Sequence, residues 1–390
     1  MYLKRIIDKY LEEWAKRADH KPILLRGARQ VGKSSSVKHL GRLFQNYAEI
    51  NFEKSPIYKQ VFEADLDAGR IVSQLSALIG IEIIPGKTLL FLDEVQECPK
   101  AIMALRFFKE DMPKLHVIAA GSLLEFALDD LPTFGVGRIH SMFMRPLSFD
   151  EFESACGFDA LLKARDSASA EQPMPEPLYK TILEHYRTYM MIGGMPEVVQ
   201  KYIDNPDISN AFRAQKSIIT TYRDDISHYA EKSAVLAKRV FDAMPSQLGK
   251  KDKRFVLAEI EKGASLRKYE DPTQWLIDAG LAYYSFNTKA FELPFESTEN
   301  RKLYKLYMVD TGLLCSQIIN EMQFEVLKGN IDINEGALTE NFVACALSAK
   351  GKSLHYYDKK SKQELDFIIQ ENNKITILEV KSADNYKKHA

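Results

Sequence analysis

Short runs of apolar residues alternate with amphipathic stretches over the first 145 residues. These runs predict strands at Ile23–Leu25, Ala48–Asn51, Leu89–Leu92, Val117–Ala120 and Ile139–Met144. The segments between them are long enough for crossover helices, which parallel strands require as connections. We therefore predict an α/β fold in which helices cover both faces of a parallel sheet.

The rest of the chain has a different pattern. Residues 150–226 are mostly at helical spacing, and three prolines at alternate positions within 167–177 predict a loop. Residues 232–286 predict a small helical unit that ends in a β-rich stretch. Another region with strands begins at residues 303–309 and continues to the C-terminus.

Composition excludes several classes of protein. The 390 residues are 45% hydrophobic and 27% charged, and 53 Lys and Arg against 54 Asp and Glu give a formal charge of −1. No chain-wide basic field is available for nucleic acid, and no apolar run approaches the ~20 residues of a membrane span. The four cysteines lie at least 30 residues apart, which indicates a reducing cytoplasm rather than a zinc site or a disulfide framework.

The strongest motif is GARQVGKS at residues 27–34, which fits G-x-x-x-x-G-K-[ST] in full. A predicted strand precedes it, and Ser35–Phe44 can continue as a helix. The glycines let backbone N–H groups surround a phosphate, while the lysine reaches the β- and γ-phosphates and the serine binds Mg²⁺. A chance glycine-rich turn is the structural alternative. The candidate nucleotide-binding residues are Gly27, Ala28, Arg29, Gln30, Val31, Gly32, Lys33, Ser34 and Ser35.

A second motif, TLLFLDE at residues 88–94, is an apolar strand that ends in two carboxylates. Asp93 is the candidate to support Mg²⁺, and Glu94 is the candidate base that polarises a water. Alone, this pattern would favour a solvated acidic turn. Together with the first motif it predicts Mg²⁺-dependent ATP hydrolysis, and at this point the sequence resembles the AAA-type ATPases of the additional-strand P-loop class.

Other candidates follow from that resemblance. In the class, a polar residue at the end of the next strand senses the γ-phosphate, and Ser122 matches this position; a simple turn is the alternative. An arginine, supplied in cis or by a neighbouring subunit, would stabilise the charge of phosphoryl transfer. Arg138, in Gly135-Val-Gly-Arg138, is the candidate and Arg106 the reserve, although a surface arginine is the simpler explanation for each.

The wider sequence resembles a prokaryotic family of AAA ATPases fused to a C-terminal domain of unknown function with a nuclease-like fold. The resemblance implies an ATPase core at 1–150, a helical lid and linker at 151–226, a winged helix at 227–290 and a restriction-endonuclease-like domain at 291–390. The segments that carry it are RGARQVGKS 26–34, LDEVQ 92–96, AAGS 119–122, PLSFDEF 146–152, GGMPE 193–197, YRDD 222–225, KLYMVDTG 305–312 and EGALTENFV 335–343. In the fifth of these, Gly193-Gly194 predicts a tight turn after a helix.

A local basic excess lies within the predicted winged helix. Between residues 249 and 268, three acids stand against seven basic residues: Lys250, Lys251, Lys253, Arg254, Lys262, Arg267 and Lys268. Contact with a nucleic-acid backbone needs such an excess. A solvated helical face or a protein-docking module explains it equally well.

The C-terminal region carries a carboxylate–lysine set. Asp366 begins one predicted strand, and Glu379 and Lys381 share a face of the next. This resembles the D…E-x-K core of restriction-endonuclease-like folds and predicts a second Mg²⁺ site, with Glu340 as an extra ligand. Because the sequence stops nine residues after Lys381, where such folds normally continue, we expect a shortened or degenerate domain.

Two functions remain open from the sequence. In the first, the ATPase cycle drives DNA handling or defence, with DNA held by the winged helix. In the second, the chain is a nucleotide-dependent switch that assembles with protein partners or with copies of itself, and its nuclease-like domain is inert. Both require ATP and Mg²⁺, and neither involves a membrane.

Overall fold

The computed structural model describes residues 2–122, 124, 137–230, 233–319, 335–359 and 363–381. The chain divides into two compact units, residues 1–145 and 146–390. No helix in these described ranges is long and apolar enough to cross a membrane.

The first unit is built on a parallel sheet. Within the described residues its strands lie in the order β2-β3-β4-β1-β5, and every pair is parallel. They are β1 (Ile23–Arg26), β2 (Asn46–Asn51), β3 (Thr88–Asp93), β4 (His116–Ala120) and β5 (His140–Phe143). The predicted strands and the α/β fold are confirmed. Every residue of β3 and β4 is buried, as expected for central strands covered on both faces.

Strand β4 lies between β1 and β3. Ile118 of β4 pairs with Ile23 of β1 and also with Phe91 of β3. This is the additional strand that the resemblance implies. Because all these strands are parallel, the loop after β1 and the carboxylates that end β3 lie at the same edge of the sheet.

The helices of the first unit bury their apolar residues against the sheet. Leu90 and Leu92 of β3 share one core with Ile71 and Leu105, which lie on the third and fourth helices. The third helix begins at a true cap, because the Asp67 side chain accepts the N–H of Arg70 at 2.6 Å. The described helices are α1 (Ile6–Lys16), α2 (Lys33–Gly41), α3 (Ala68–Ile79) and α4 (Pro99–Asp111).

The second unit begins with helices, as predicted. A capping box starts the first of them: Ser148 and Glu151 each accept the backbone N–H of the other, at 3.2 and 2.7 Å. The predicted loop is confirmed between the second and third. The described helices are α5 (Phe149–Ala155), α6 (Asp159–Asp166), α7 (Glu176–Ile192), α8 (Pro196–Asp204), α9 (Ile208–Tyr229), α10 (Ala234–Leu248), α11 (Leu266–Asp278), α12 (Thr311–Ile319) and α13 (Glu335–Ala349).

A mixed sheet follows in the second unit. In the described part of the chain its order is β10-β9-β8-β6-β7, and only the β6–β8 pair is parallel. The strands are β6 (Ala282–Thr288), β7 (Glu299–Met308), β8 (Leu354–Asp358), β9 (Glu364–Glu371) and β10 (Lys374–Leu378). Strand β6 was assigned to the predicted winged helix, yet it is hydrogen-bonded to β7 and β8. One sheet therefore crosses the predicted boundary between residues 290 and 291.

A buried joint holds the turn after α7. The Asp310 carboxylate accepts the N–H of Gly194 at 2.6 Å and that of Leu313 at 2.9 Å, and burial raises its pKa to about 6. The carbonyl of Gly194 accepts the N–H of Leu147 at 2.7 Å. The predicted tight turn is confirmed, since α7 ends at Ile192 and Gly193 has a φ of 73°.

We expect Gly194→Ala to destabilise the second unit. A Cβ at this position would overlap the carbonyl oxygen of Leu147. Such backbone crowding should lower the free energy of unfolding by about 1–3 kcal/mol, measured by denaturant titration. Gly69→Ala is the control, because no atom lies closer than 3.5 Å to a Cβ there. Equal stability of the two variants would contradict this account of the joint.

Candidate functional site

The loop between β1 and α2 has the backbone of a phosphate cradle. Gly27 and Gly32 have φ angles of 141° and 99°, and Gln30 has a φ of 67°. A Cβ at Gly27 would overlap the carbonyl oxygen of Met144, which follows β5. Glycine is therefore required at this position both by the backbone angle and by the close approach of the neighbouring strand.

Lys33 begins α2 and folds back over the loop. Its Nζ donates to the carbonyl oxygens of Gly27 and Ala28, both at 2.8 Å. Burial lowers the pKa of this ammonium to about 8, against the opposing influence of Glu94 and Asp93. The lysine is thus held inside the cradle, where a phosphate group would meet it.

The two predicted metal-binding side chains are in direct contact. Ser34 Oγ donates to Asp93 Oδ1 at 3.0 Å, which joins the start of α2 to the end of β3. The other carboxylate oxygen, Asp93 Oδ2, accepts from Asn51 Nδ2 at 3.1 Å. Burial and the neighbouring charge of Glu94 raise the pKa of Asp93. A hydroxyl and a carboxylate this close fit Mg²⁺, which prefers oxygen ligands.

Glu94 occupies a strained position beside the loop. It has left-handed backbone angles, with a φ of 50°, and its Oε2 accepts from Gln96 Nε2 at 2.7 Å. The other amide atom, Gln96 Oε1, has no hydrogen-bond partner within the described residues and abuts Gly121 at the end of β4. The carboxamide of Gln96 therefore lies between Glu94 and the end of β4.

Ser122 lies next to the phosphate loop, as the resemblance implied. Its side chain is buried, and Arg29 Nε lies 3.3 Å from its Oγ. A polar group at the end of β4 is thus tied to a side chain of the loop itself. Its predicted role in sensing the γ-phosphate stays a prediction.

Three supporting residues were missed by the sequence analysis. Buried Arg5 donates from Nη1 to the carbonyl of Val31 at 2.8 Å, which holds the phosphate loop from behind. Asn51 and Gln96 contact the two acids, as described above. Asn51 could have been found, because it ends a predicted strand at the same sheet edge; nothing in the local sequence marks Arg5.

Arg138 and Arg106 pair with the same acid, Glu110. Both donate from Nε to Glu110 Oε1, at 3.2 and 3.0 Å. Arg138 precedes β5, whereas the opposite end of that strand, Phe143, pairs with Arg26 beside the loop. The separation along the strand is about 16 Å. Arg138 therefore lies at the far end of β5 from the loop, and the role of Arg138, or of Arg106 in reserve, in phosphoryl transfer stays a prediction. Gly135 lies outside the described residues.

The predicted C-terminal set does come together. Phe367 of β9 pairs with Leu378 of β10, so Asp366 lies opposite Glu379. The carboxylate of Asp366 accepts the N–H of Val380 at 2.8 Å, and Lys381 Nζ lies 2.6 Å from Glu379 Oε1. Burial, Glu340 and Glu379 raise the pKa of Asp366.

The expected extra ligand, Glu340, is already engaged by cations. Its oxygens contact Lys305 Nζ at 3.0 Å and Lys253 Nζ at 2.6 Å, and Tyr307 donates a hydrogen bond to it. Burial raises the pKa of Glu340, but the two lysines outweigh burial and hold it below its usual value. Among the described residues no group of three or more His, Cys, Asp or Glu side chains could hold a metal. Glu340 is thus held by lysines, and the second Mg²⁺ site at Asp366 and Glu379 stays a prediction.

The basic stretch is largely neutralised by internal ion pairs. Arg254 pairs with Asp252 and also lies 3.4 Å from Asp358, far along the chain. Lys250 pairs with Glu259. Lys268 pairs with Glu261, and Lys253 pairs with Glu340 as described above. The excess of basic residues counted along the sequence is therefore not a continuous free surface.

Comparison with known protein families agrees with the fold described for the first unit. Residues 19–153 match the family model of an AAA domain, so the chain carries an AAA-type P-loop ATPase domain. Residues 183–323 match a domain of unknown function (DUF8612), and residues 335–390 match another (DUF4143). These two descriptions name no activity. No curated protein matches the chain.

One solved structure resembles most of the chain. The Walker-type ATPase PABY2304 of Pyrococcus abyssi has a TM-score of 0.50 and 14% identity, over 81% of this chain and 96% of that chain. Identity this low shows the fold alone. The Orc1 protein of Aeropyrum pernix in complex with DNA has a TM-score of 0.32 and 12% identity, over 82% of this chain and 93% of that chain. That score is too low to support an argument.

The lowered pKa of Lys33 predicts how nucleotide affinity depends on pH. Only the ammonium form attracts phosphate, so titration of Lys33 should not change ATP affinity below about pH 8. Above this pH the affinity should weaken, by up to about tenfold per pH unit, and binding should take up a proton. Calorimetry in buffers of different ionisation enthalpy measures both effects. Affinity that stays constant up to pH 9.5 would show that Lys33 does not titrate as described.

Proposed function

We propose that this chain binds ATP with Mg²⁺ at the phosphate loop and hydrolyses it by in-line attack of water. The contact between Ser34 and Asp93 is the observation that carries the proposal. It joins a hydroxyl at the start of a helix to a carboxylate at the end of a strand, beside a loop whose backbone suits a phosphate. A glycine-rich turn without a ligand would not require these two groups to meet.

Each side chain has a chemical role in this proposal. Lys33 would leave the loop carbonyls to contact the β- and γ-phosphates, and Ser34 and Asp93 would hold Mg²⁺. When bound, the metal supplies charge neutralisation for the phosphates. Glu94 would accept a proton from the attacking water, and the hydrogen bond from the Gln96 amide orients the Glu94 carboxylate. Ser122 would sense the γ-phosphate next to Arg29.

Two substitutions should separate binding from turnover. Lys33→Ala removes the cation of the cradle and should abolish tight ATP binding. Glu94→Gln removes the base but keeps the shape, so ATP binding should persist while kcat falls by about 10²–10⁴-fold. Equilibrium binding and phosphate release measure the two effects.

The matched control is Glu97→Gln, a neighbouring acid that pairs with Lys59 at 3.0 Å outside the loop. It should change neither binding nor turnover by more than about twofold, because surface pairs contribute little. Full hydrolysis by both the Lys33→Ala and the Glu94→Gln proteins would show that the site is misassigned.

The proposed output of the cycle is a switch that assembles with protein partners, with a nuclease-like fold that is inert. Two observations support it over DNA handling. Lys253 and Lys305 neutralise Glu340, which was expected to be an extra metal ligand of a cleavage site. The basic stretch is paired internally, so that fewer cations are available to contact a DNA backbone. DNA handling remains the alternative.

DNA retention distinguishes these two outputs. In the described structure Lys251, Lys262 and Arg267 form no ion pair, so they are the cations that a backbone could use. For a switch, duplex DNA should bind no more tightly to the natural chain than to a triple alanine variant at these positions. Retention that falls steeply with salt and is lost in that variant would favour DNA handling. Mg²⁺-dependent cleavage that disappears in Asp366→Ala would contradict an inert fold.

A further inference from the structure

A groove of about 550 Å³ lies within the second unit. Helices α9, α10 and α12 form its walls. This volume is within the range of small-molecule sites, roughly 300–1,000 Å³. Among the described residues the polar lining consists of Lys216, Thr220, Arg223, Asp242, Ser246, Ser316 and Gln317.

Ser316 is an unexplained polar group in this lining. Its side chain is 2% exposed, and its Oγ has no hydrogen-bond partner within the described residues. A serine inside a helix usually bonds to the carbonyl four residues earlier or reaches water. A buried hydroxyl without a partner costs free energy, and a ligand in the groove that accepts from it would remove that cost.

Two cations on α9 line the same groove. Lys216 and Arg223 are seven residues apart, which places them on one face of the helix, with Thr220 between them. Lys216 forms no ion pair in the described structure, whereas Arg223 on the same helix does. The guanidinium of Arg223 is oriented by Asp242, whose Oδ1 accepts from Nε at 2.8 Å and lies 2.7 Å from Nη2. This leaves Nη1 for a ligand.

We propose that this groove binds a phosphate monoester of mononucleotide size. The phosphate would accept hydrogen bonds from Lys216, Arg223 and Ser316, because arginine and lysine are the usual partners of this group. The rest of the ligand would lie on the apolar lining of Ile219, Pro245 and Ile318. Asp242 is available to accept from a hydroxyl or amino group of the ligand.

The charge of the lining supports an anion. Lys216 and Arg223 contribute two positive charges and Asp242 one negative charge, so the described part of the lining is cationic by one unit. A cation would meet net repulsion, and a wholly apolar ligand would leave Ser316 unsatisfied. A phosphate monoester would be attracted by the positive charge and could accept a hydrogen bond from the Ser316 hydroxyl.

Calorimetry with AMP, without Mg²⁺, tests the proposal in the full-length Lys33→Ala protein. That background disables the phosphate loop, so the result does not depend on the ATPase proposal. AMP should bind, and Arg223→Gln should weaken it by about tenfold, the loss of a charge-assisted hydrogen bond. Arg213→Gln is the control: this exposed arginine lies on α9, outside the groove, and bonds to Asn210. Its AMP affinity should be unchanged.

Ser316→Ala separates a ligand contact from a structural role. It removes a hydroxyl with no internal hydrogen bond, so the melting temperature should not fall, while AMP affinity should fall by about threefold or more. No AMP binding at millimolar concentration overturns the proposal, as does binding that is unchanged in Arg223→Gln and Ser316→Ala. Inorganic phosphate binding as tightly as AMP would overturn the requirement for an ester.

Discussion

The buried carboxylate of Asp93 is the group on which the first unit depends. A charge at the end of a fully buried strand needs hydrogen bonds, and its two oxygens receive them from Ser34 and Asn51. These partners begin α2 and end β2, so one side chain fixes a helix and two strands at the same sheet edge. The cradle, Lys33 and Glu94 all take their positions from that edge.

The sequence predicted those site residues whose positions follow from the geometry of the parallel sheet. Parallel strands end together, which is enough to bring Ser34, Asp93 and Ser122 to one place. The same rule places Arg138 at the opposite edge of the sheet, since it precedes its strand instead of following it. Arg5 and Gln96 could not be predicted, because their roles depend on packing against Val31 and Gly121, far away in sequence.

Charge was the least predictable property of the second unit. Counting along 249–268 gives a basic excess, but the partners of Lys253 and Arg254 are Glu340 and Asp358, which arrive from distant segments. Lys305, fully buried between Glu340 and Glu364, shows the same principle. Counting charged residues along the sequence does not show which of them form ion pairs in the folded chain, and the electrostatic surface depends on those pairs.

The parallel pairing of β6 with β8 has a consequence for how this chain can be divided. Residues 285–287 bond to residues 354–356 across an intervening segment that includes α12 and α13. A fragment ending before β8 would turn β6 into an exposed strand edge with unpaired N–H and C=O groups. Such edges recruit strands from other molecules. Fragments cut near residue 290 or 320 should therefore aggregate, and soluble halves are to be sought near residue 145.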